Sequence, residues 1–216
     1  MRGALLFTWV LMSALTASPQ RSFYQKSLDS PKAPLVLKKK VAIIGSGIAG
    51  AGKSTLFKAL RARLANCYYL DKDVIDRALL KEHPYFSEYY FDNVKFQSYD
   101  VILALAEESL SNGPDAVILD GYFGDKLSLF FMEKFLHAKD FETKVIYFYC
   151  SFKVNKERLI HRGEPRDQEK IENFDEHYQK MEAIHLREIE RVPHLAINTE
   201  EDAEKNLAKI LHYLAE

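Results

Sequence analysis

The chain has 216 residues, of which 47% are apolar and 28% charged, a composition that predicts one globular domain and excludes a largely disordered protein. Its 30 basic and 31 acidic residues leave a formal net charge of −1, so no general attraction to nucleic acid or to an anionic membrane is expected. The two cysteines, Cys67 and Cys150, lack metal-binding spacing, and we expect buried free thiols.

The first 34 residues resemble a targeting segment followed by a polar linker. Arg2 precedes an apolar run at residues 4–15, which is too short for a comfortable membrane span and resembles a secretory signal. Recurrent serines and the absence of acids before Asp29 also fit an organellar transit peptide, and a disordered extension or a misassigned start codon are further alternatives. We assign the main domain to residues 35–216.

Beyond the linker, short apolar runs predict strands and amphipathic stretches predict helices. The strands are predicted at residues 41–45, 68–71, 116–120, 144–150 and 194–197. Five strands separated by helices predict an α/β three-layer sandwich with a mainly parallel sheet. Ligands of such sheets bind at the carboxyl ends of the strands, so the residues just after each strand are the candidates for function.

The stretch after the first predicted strand satisfies two phosphate-binding patterns that predict different proteins. Residues 45–50 fit the dinucleotide fingerprint Gly-x-Gly-x-x-Gly, whereas residues 47–54 fit the P-loop (Walker A) pattern Gly-x-x-x-x-Gly-Lys-Ser. The P-loop pattern is far more demanding and lies between an apolar strand and a helical run. It also supplies backbone N–H groups and Lys53 for phosphates and the Ser54 hydroxyl for Mg²⁺. We therefore predict ATP binding rather than NAD binding.

Acidic residues follow the second and third predicted strands. Asp71 and Asp73 form an Asp-x-Asp pair, in which Asp73 either caps the following helix or orients and deprotonates an acceptor hydroxyl. Asp120 ends the third strand and either forms an ordinary turn or holds Mg²⁺, directly or through water. We prefer the metal role for Asp120 because it follows a buried strand of a P-loop protein.

Basic residues follow the fourth predicted strand. Arg158 and Arg162 are four apart and share a helix face, and Arg166 lies in a Gly- and Pro-containing segment that suits a mobile flap. The planar guanidinium group matches phosphate, so we expect Arg162 and Arg166 to contact phosphate groups. Arg158 either joins them or stacks on the adenine.

An aromatic stretch occupies residues 83–99, between the second and third predicted strands. Its rings either pack as core and helix surface or line a substrate pocket over the Asp-x-Asp pair. The histidines at 83, 161, 177 and 185 show neither metal spacing nor a nucleophile partner, so we expect surface or capping positions for each.

Taken in order, the stretches GSGIAGAGKST, LDKD, YDVILALAEESLSNGPDAVILDG and CSFKVNKERLIHRGEPRD resemble the AAA-type small-molecule kinases, relatives of gluconate, shikimate and nucleoside monophosphate kinases. The resemblance covers residues 41–216. It implies a P-loop NTPase fold with a five-stranded sheet of order 2-3-1-4-5 and a helical lid. The implied activity is transfer of the γ-phosphate of ATP, with Mg²⁺, to a hydroxyl of a small molecule.

The resemblance also implies roles for individual residues. The implied ATP-binding residues are Gly47, Gly50, Ala51, Gly52, Lys53, Ser54, Thr55, Arg158 and Asn198. The implied metal-binding residues are Ser54, Asp71 and Asp120, and the implied catalytic residues are Lys53, Asp73, Arg162 and Arg166. The implied strand order places Cys67 and Cys150 three strand spacings apart, ~14 Å at ~4.8 Å each, which is too far for a disulfide.

The chain departs from the family pattern after the third predicted strand. Many relatives have an arginine there that helps to bind the acceptor, whereas this chain continues Asp120-Gly121-Tyr122, which leaves the acceptor charge open. A toxin-type nucleotide-sugar kinase and an ATP-binding regulatory module remain alternatives. We expect a small-molecule acceptor, no nucleic-acid partner, no stable membrane span, a monomer or homodimer, and an ATP-containing compartment, cytoplasmic or organellar.

Overall fold

A parallel β-sheet organises the domain, and the computed structural model describes residues 33–123 and 129–216. The strands are β1 (Val41–Ser46), β2 (Cys67–Asp71), β3 (Ala116–Asp120), β4 (Glu142–Tyr149) and β5 (His194–Asn198). All neighbouring strands pair in parallel, in the order β2-β3-β1-β4-β5. The predicted strand order and parallel sheet are therefore confirmed.

Helices alternate with the strands along the chain. They are α1 (Lys53–Arg61), α2 (Lys72–Leu80), α3 (Gln97–Asn112), α4 (Leu129–His137), α5 (Phe152–Arg162), α6 (Gln168–Glu172), α7 (Phe174–Ile189) and α8 (Ala203–Ala215), with a π-helical turn at Tyr90–Val94 and a 3₁₀ turn at Pro165–Asp167. We call residues 163–172, between α5 and α7, the lid segment. Across the described ranges, no helix has both the length and the apolar character needed to cross a bilayer.

The apolar core forms two layers, one on each face of the sheet. On one face Ile43 of β1 packs with residues of α1 and α8, and on the other Ala42 and Ile44 pack with residues of α3 and α4. Every residue of β1 is buried, so its sequence is apolar without alternation, as expected for a strand covered on both faces. This burial fixes the strand from which the glycine-rich loop emerges.

The two cysteines are free thiols, as predicted. Cys150 is buried, but Cys67 is only half-buried because it begins β2, which lies at the edge of the sheet. Burial nevertheless raises the pKa of Cys67 to about 12, and it also raises the pKa of Cys150. Neither thiol is therefore suited to act as a thiolate nucleophile at neutral pH.

The chain joins the domain at Leu35. The Leu35 N–H donates to the carbonyl oxygen of Arg63 at 2.9 Å, and the Leu35 carbonyl accepts from the N–H of Ala65 at 2.9 Å. Leu37 is 8% exposed and belongs to the core. The targeting segment predicted before residue 35 falls almost wholly outside the described residues, so its role stays a prediction.

Two truncations test this boundary. A chain that begins at Leu35 should melt at the same temperature as the full chain, because it keeps both hydrogen bonds and the burial of Leu37. A chain that begins at Lys40 should melt roughly 6–12 °C lower, since about 3 kcal/mol is lost and each kcal/mol corresponds to about 2–4 °C. Differential scanning calorimetry measures both, and equal melting temperatures for the two truncations would contradict the boundary.

Candidate active site

The loop between β1 and α1 has the backbone geometry of a P-loop. Gly47, Gly50 and Gly52 adopt φ values of 135°, 82° and 89°, a region that favours glycine. A Cβ atom at Gly47 would lie 2.3 Å from the carbonyl oxygen of Phe148, so only glycine fits there. Helix α1 begins at Lys53. Its first turn contains no acidic residue that would compete with a bound anion for the positive N-terminus of the helix.

The start of α1 also separates the two glycine patterns. A dinucleotide-binding turn would begin its helix earlier, near the last glycine of its pattern, whereas α1 begins directly after Gly52, the last glycine of the P-loop pattern. The Lys53 ammonium donates to the carbonyl oxygens of Gly47 at 2.7 Å and Ile48 at 2.9 Å, and so lies against the loop. The loop geometry therefore favours the P-loop interpretation.

Three carboxylates meet near the P-loop. Asp71 ends β2 and pairs in register with Asp120, which ends β3, while Asp73 lies in the first turn of α2. Burial raises the pKa of Asp71, and repulsion from Asp120 and Asp73 raises it further. Burial lowers the pKa of Lys53, against which Asp120 and Asp73 act to raise it. Such a concentration of negative charge favours a bound cation.

Asp71, rather than Asp73, caps helix α2. The Asp71 carboxylate accepts a hydrogen bond from the N–H of Asp73 at 2.9 Å. The capping alternative for Asp73 is therefore wrong, because the residue lies inside the helix and its side chain is directed to another partner. Its Oδ2 atom lies 2.7 Å from Nη1 of Arg166 in the lid segment.

Tyr69 holds the carboxylate of Asp120, a role that no sequence motif indicated. Its hydroxyl donates to Oδ2 of Asp120 at 2.6 Å, and the phenol lies near the side chain of Ser54. Two of the three residues predicted to hold Mg²⁺, Ser54 and Asp120, thus lie near one phenol. Alternation along β2 places Tyr69 on the same face as Asp71, so the signal was present in the sequence.

The residues near the P-loop fit a magnesium ion that is shared with phosphate. Over the described ranges, no three His, Cys, Asp or Glu side chains form a group that could hold a metal alone. Mg²⁺ in phosphate-binding sites usually takes one or two protein ligands, substrate phosphates and water. The Ser54 hydroxyl at the start of α1 and the Asp120 carboxylate, which accepts from Tyr69, match this donor set.

The arginines of the lid region are paired with carboxylates. Arg162 ends α5 and donates through Nε to Oδ2 of Asp167 at 2.7 Å. Arg166 lies 2.6 Å from a carboxylate oxygen of Glu164 and also pairs with Asp73. Arg166 therefore connects the lid segment to the Asp-x-Asp pair, while Glu164 and Asp167 are partners that sequence analysis did not identify.

Arg158 joins the P-loop to the loop that follows β5. Its Nη1 donates to Oγ1 of Thr199 at 2.7 Å and lies 3.5 Å from the carbonyl oxygen of Gly50, and its Nη2 donates to the carbonyl oxygen of Thr199 at 2.9 Å. Asn198, which ends β5, accepts from the N–H of Glu200 at 3.0 Å through its side chain. Arg158 and Asn198 thus lie at the same end of the sheet as the P-loop, and their contact with adenine stays a prediction.

The aromatic stretch at residues 83–99 divides between core packing, which was one predicted alternative, and an open cleft, whose use by a substrate stays a prediction. Tyr90 and Tyr99 are 8% and 5% exposed and belong to hydrophobic core clusters. Tyr85 and Phe86 instead line an open cleft of about 560 Å³, together with Arg166 of the lid segment. Core packing thus explains the positions of Tyr90 and Tyr99, whereas Tyr85 and Phe86 lie at the cleft beside the lid segment.

A buried histidine lies behind the P-loop. His185 of α7 is fully buried, and its Nδ1 atom is 3.1 Å from Oγ of Ser46, the residue before Gly47. Its ring packs edge to face against Tyr122, with the ring centroids 5.3 Å apart. Burial, together with the smaller effect of the positive charge of Lys53, lowers the pKa of His185 to about 3. The residue is therefore neutral at physiological pH.

The predicted surface or capping position was wrong for His185. His83 and His161 are exposed, as expected, and His177 is half-buried. His185 lies seven residues after Tyr178, which is buried on the same helix. This helical spacing places both on one face, so the sequence contained a signal that motif analysis overlooked.

The buried histidine predicts a pH dependence of stability. Its folded-state pKa of about 3 lies below the ordinary value of 6.5, so the unfolded chain binds more protons between these values and stability falls as the pH drops from about 6.5 towards 3. His185→Asn should remove up to about 1.4 kcal/mol per pH unit of this slope. Urea unfolding at pH 4 to 7 measures the effect; His161→Asn serves as the exposed control, and an unchanged slope in His185→Asn would contradict the prediction.

Comparisons with known proteins agree with this geometry. Residues 43–184 match a family model described as an AAA domain. No protein in the curated set matches the chain. Among solved structures, a candidate kinase of Chloroflexus aurantiacus is similar with a TM-score of 0.59 and 18% identity, over 82% of this chain and 99% of that chain.

Shikimate kinases are also similar in structure. The enzyme of Acinetobacter baumannii, in complex with shikimate, has a TM-score of 0.55 and 20% identity, over 79% of this chain and 90% of that chain. The enzyme of Bacteroides thetaiotaomicron has a TM-score of 0.54 and 18% identity, over 81% of this chain and 98% of that chain. At these identities the likeness establishes a shared fold.

Proposed function

Because the chain belongs to the family of AAA domains with a P-loop, we propose that it is a kinase that transfers the γ-phosphate of ATP to a hydroxyl of a small molecule. The observation that carries the proposal is the convergence of three parts at one edge of the sheet. These are the P-loop with Lys53, the carboxylate of Asp73, and Arg166 of the lid segment, which pairs with Asp73 at 2.7 Å.

The chemistry requires little covalent participation by the protein. The bond between the γ-phosphorus and the oxygen of the ADP leaving group breaks, a bond from the acceptor oxygen to that phosphorus forms, and the acceptor proton passes to the Asp73 carboxylate. The P-loop N–H groups and Lys53 hold the β and γ phosphates. Ser54 and Asp120 would hold Mg²⁺, which would supply positive charge to neutralise the phosphates.

The lid arginines supply further positive charge. Arg162 ends α5 and Arg166 lies four residues later in the lid segment, and both have carboxylate partners. Exchange of the Asp73 partner of Arg166 for a phosphate oxygen would place a guanidinium on the transferring group and release Asp73 for the acceptor. Catalysis then depends on positioning and charge neutralisation.

Phosphoryl transfer from labelled ATP tests the proposal. The protein is incubated with a metabolite extract, Mg²⁺ and ATP labelled in its γ-phosphate, and labelled small molecules are separated. We expect a labelled product that depends on both extract and protein. ATP binding without any transfer would instead favour the regulatory module, and labelling of nucleotide sugars alone would favour the toxin-type kinase.

Two substitutions should separate the roles of the acids. Asp73→Asn should lower kcat by about 100-fold or more, because it removes the proton acceptor, while the Kd for ATP changes little. Asp120→Asn should raise the Mg²⁺ concentration needed for half-maximal activity. The exposed Asp92→Asn is the control. Identical mild effects at both sites would reduce these acids to structural roles.

Removal of one hydroxyl tests the role of Tyr69 in holding Asp120. Tyr69→Phe keeps the ring but removes the hydrogen bond to Asp120, so Mg²⁺ should bind about 10-fold more weakly to the nucleotide complex. Tyr68→Phe, at a neighbouring position where the side chain is 51% exposed, is the matched control. Calorimetric titration of ATP at several Mg²⁺ concentrations measures the effect without turnover. Equal Mg²⁺ dependence in the two variants would contradict it.

A further inference from the structure

The cleft beside the lid segment has two walls of different chemistry. One wall comes from the loop after α2 and is aromatic, and the other comes from the lid segment and is polar. The lining residues are Pro84, Tyr85, Phe86, Arg166, Gln168, Glu169 and Glu172. With about 560 Å³, the cleft has the volume of an ordinary small-molecule site.

Both walls contact Asp73. From the aromatic wall, the Tyr85 hydroxyl donates to the carbonyl oxygen of Asp73 at 3.2 Å. From the lid wall, Arg166 pairs with the Asp73 carboxylate, and its guanidinium lies 5.8 Å from the centre of the Tyr85 ring. Arg166 therefore connects the cleft to the carboxylate to which we assign the acceptor proton.

Phe86 is held in the cleft by a backbone conformation that a bulky residue rarely adopts. Its φ is 60°, yet its side chain remains 41% exposed. Such a conformation costs of the order of 1 kcal/mol or more. Because the ring stays partly exposed, its burial offsets little of that strain. The ring packs against Tyr90 with centroids 5.6 Å apart, so a buried aromatic cluster supports the exposed one from behind. This arrangement is typical of a ligand-binding surface rather than of a core.

The charges at the cleft disfavour an anionic ligand. Glu169 and Glu172 are exposed on the lid wall, and among the lining residues that the structure describes Arg166 is the only cation. That guanidinium is already shared by Asp73 and Glu164. A carboxylate or phosphate on the ligand would therefore have to displace an existing partner in the presence of two further acids.

The remaining polar groups of this region agree with that charge balance. Burial raises the pKa of Tyr85 to about 12, so its phenol stays neutral and available for hydrogen bonds. The ammonium of Lys170 lies 5.8 Å from the centre of the Phe86 ring but is paired with Asp167 at 2.8 Å. The cleft thus offers aromatic faces, neutral hydrogen-bonding groups and net negative charge.

We propose that this cleft binds the phosphoryl acceptor and selects hydroxyl compounds that carry no negative charge and present an apolar ring face. Neutral and cationic compounds fit the acidic lid wall, and a ring can stack on Tyr85 and Phe86. This assignment rests on the proposed kinase function. Many relatives have an arginine after the acid that ends the third strand, where this chain has Gly121-Tyr122. An acceptor without negative charge needs no such arginine.

A matched pair of glycosides tests the proposal without phosphoryl transfer. Phenyl β-glucoside and phenyl β-glucuronide share the ring face and differ in one carboxylate. Saturation-transfer NMR on the full chain, without ATP, should give about 10-fold stronger binding of the glucoside, which corresponds to a repulsion between close like charges of about 1.4 kcal/mol. Phe86→Ala should weaken binding of both compounds while the melting temperature stays within a few degrees.

Charge variants assign the selectivity to the lid wall. The double variant Glu169→Gln, Glu172→Gln should bring the affinity ratio close to one, whereas Glu190→Gln, exposed at the end of α7, should leave it unchanged. Absence of saturation transfer to the glucoside, or tighter binding of the glucuronide, would overturn the proposal. Loss of the labelled product in the ATP assay would count against the kinase function instead, because these binding measurements need no ATP.

Discussion

The close approach of Gly47 to the carbonyl oxygen of Phe148 determines where the rest of the site lies. A Cβ atom at this glycine would be 2.3 Å from that oxygen, so the loop after β1 can lie against β4 only with glycine there. Because β1 is the central strand, the P-loop then has β3 and β2 on one side and β4 and β5 on the other. Groups from all five strand ends can therefore reach one phosphate-binding loop.

The aspartates and the arginines of the site lie on opposite sides of the P-loop. Asp71 and Asp120 end β2 and β3 and Asp73 follows β2, whereas the arginines follow β4 on α5 and in the lid segment. The pair between Arg166 and Asp73 bridges these sides. A phosphate group placed between them would meet cations from the lid, while an acceptor would meet the acids, so the division of charge matches the division of roles proposed for a kinase.

The sequence predicted the features that depend on local patterns and left out those that depend on neighbours in space. The run of apolar residues in β1 and the spacing of Gly47, Gly52 and Lys53 predicted the strand and the P-loop. The capping of α2 by Asp71 depends on the backbone angles at the end of β2, and the amino-acid sequence does not specify those angles. The contact of His185 with Ser46 joins residues 139 positions apart, so it needs the packing of α7 on the sheet.

The central claim is that residues 47–54 bind the phosphates of ATP, and calorimetric titration of the protein and of Lys53→Met with ATP·Mg²⁺ and with NAD tests it most directly. The account predicts that ATP·Mg²⁺ binds the protein, that Lys53→Met weakens this binding by about 10- to 100-fold through loss of a charged hydrogen bond, and that NAD gives no binding heat. Equal affinity of the two proteins for ATP·Mg²⁺, or saturable binding of NAD, would contradict it.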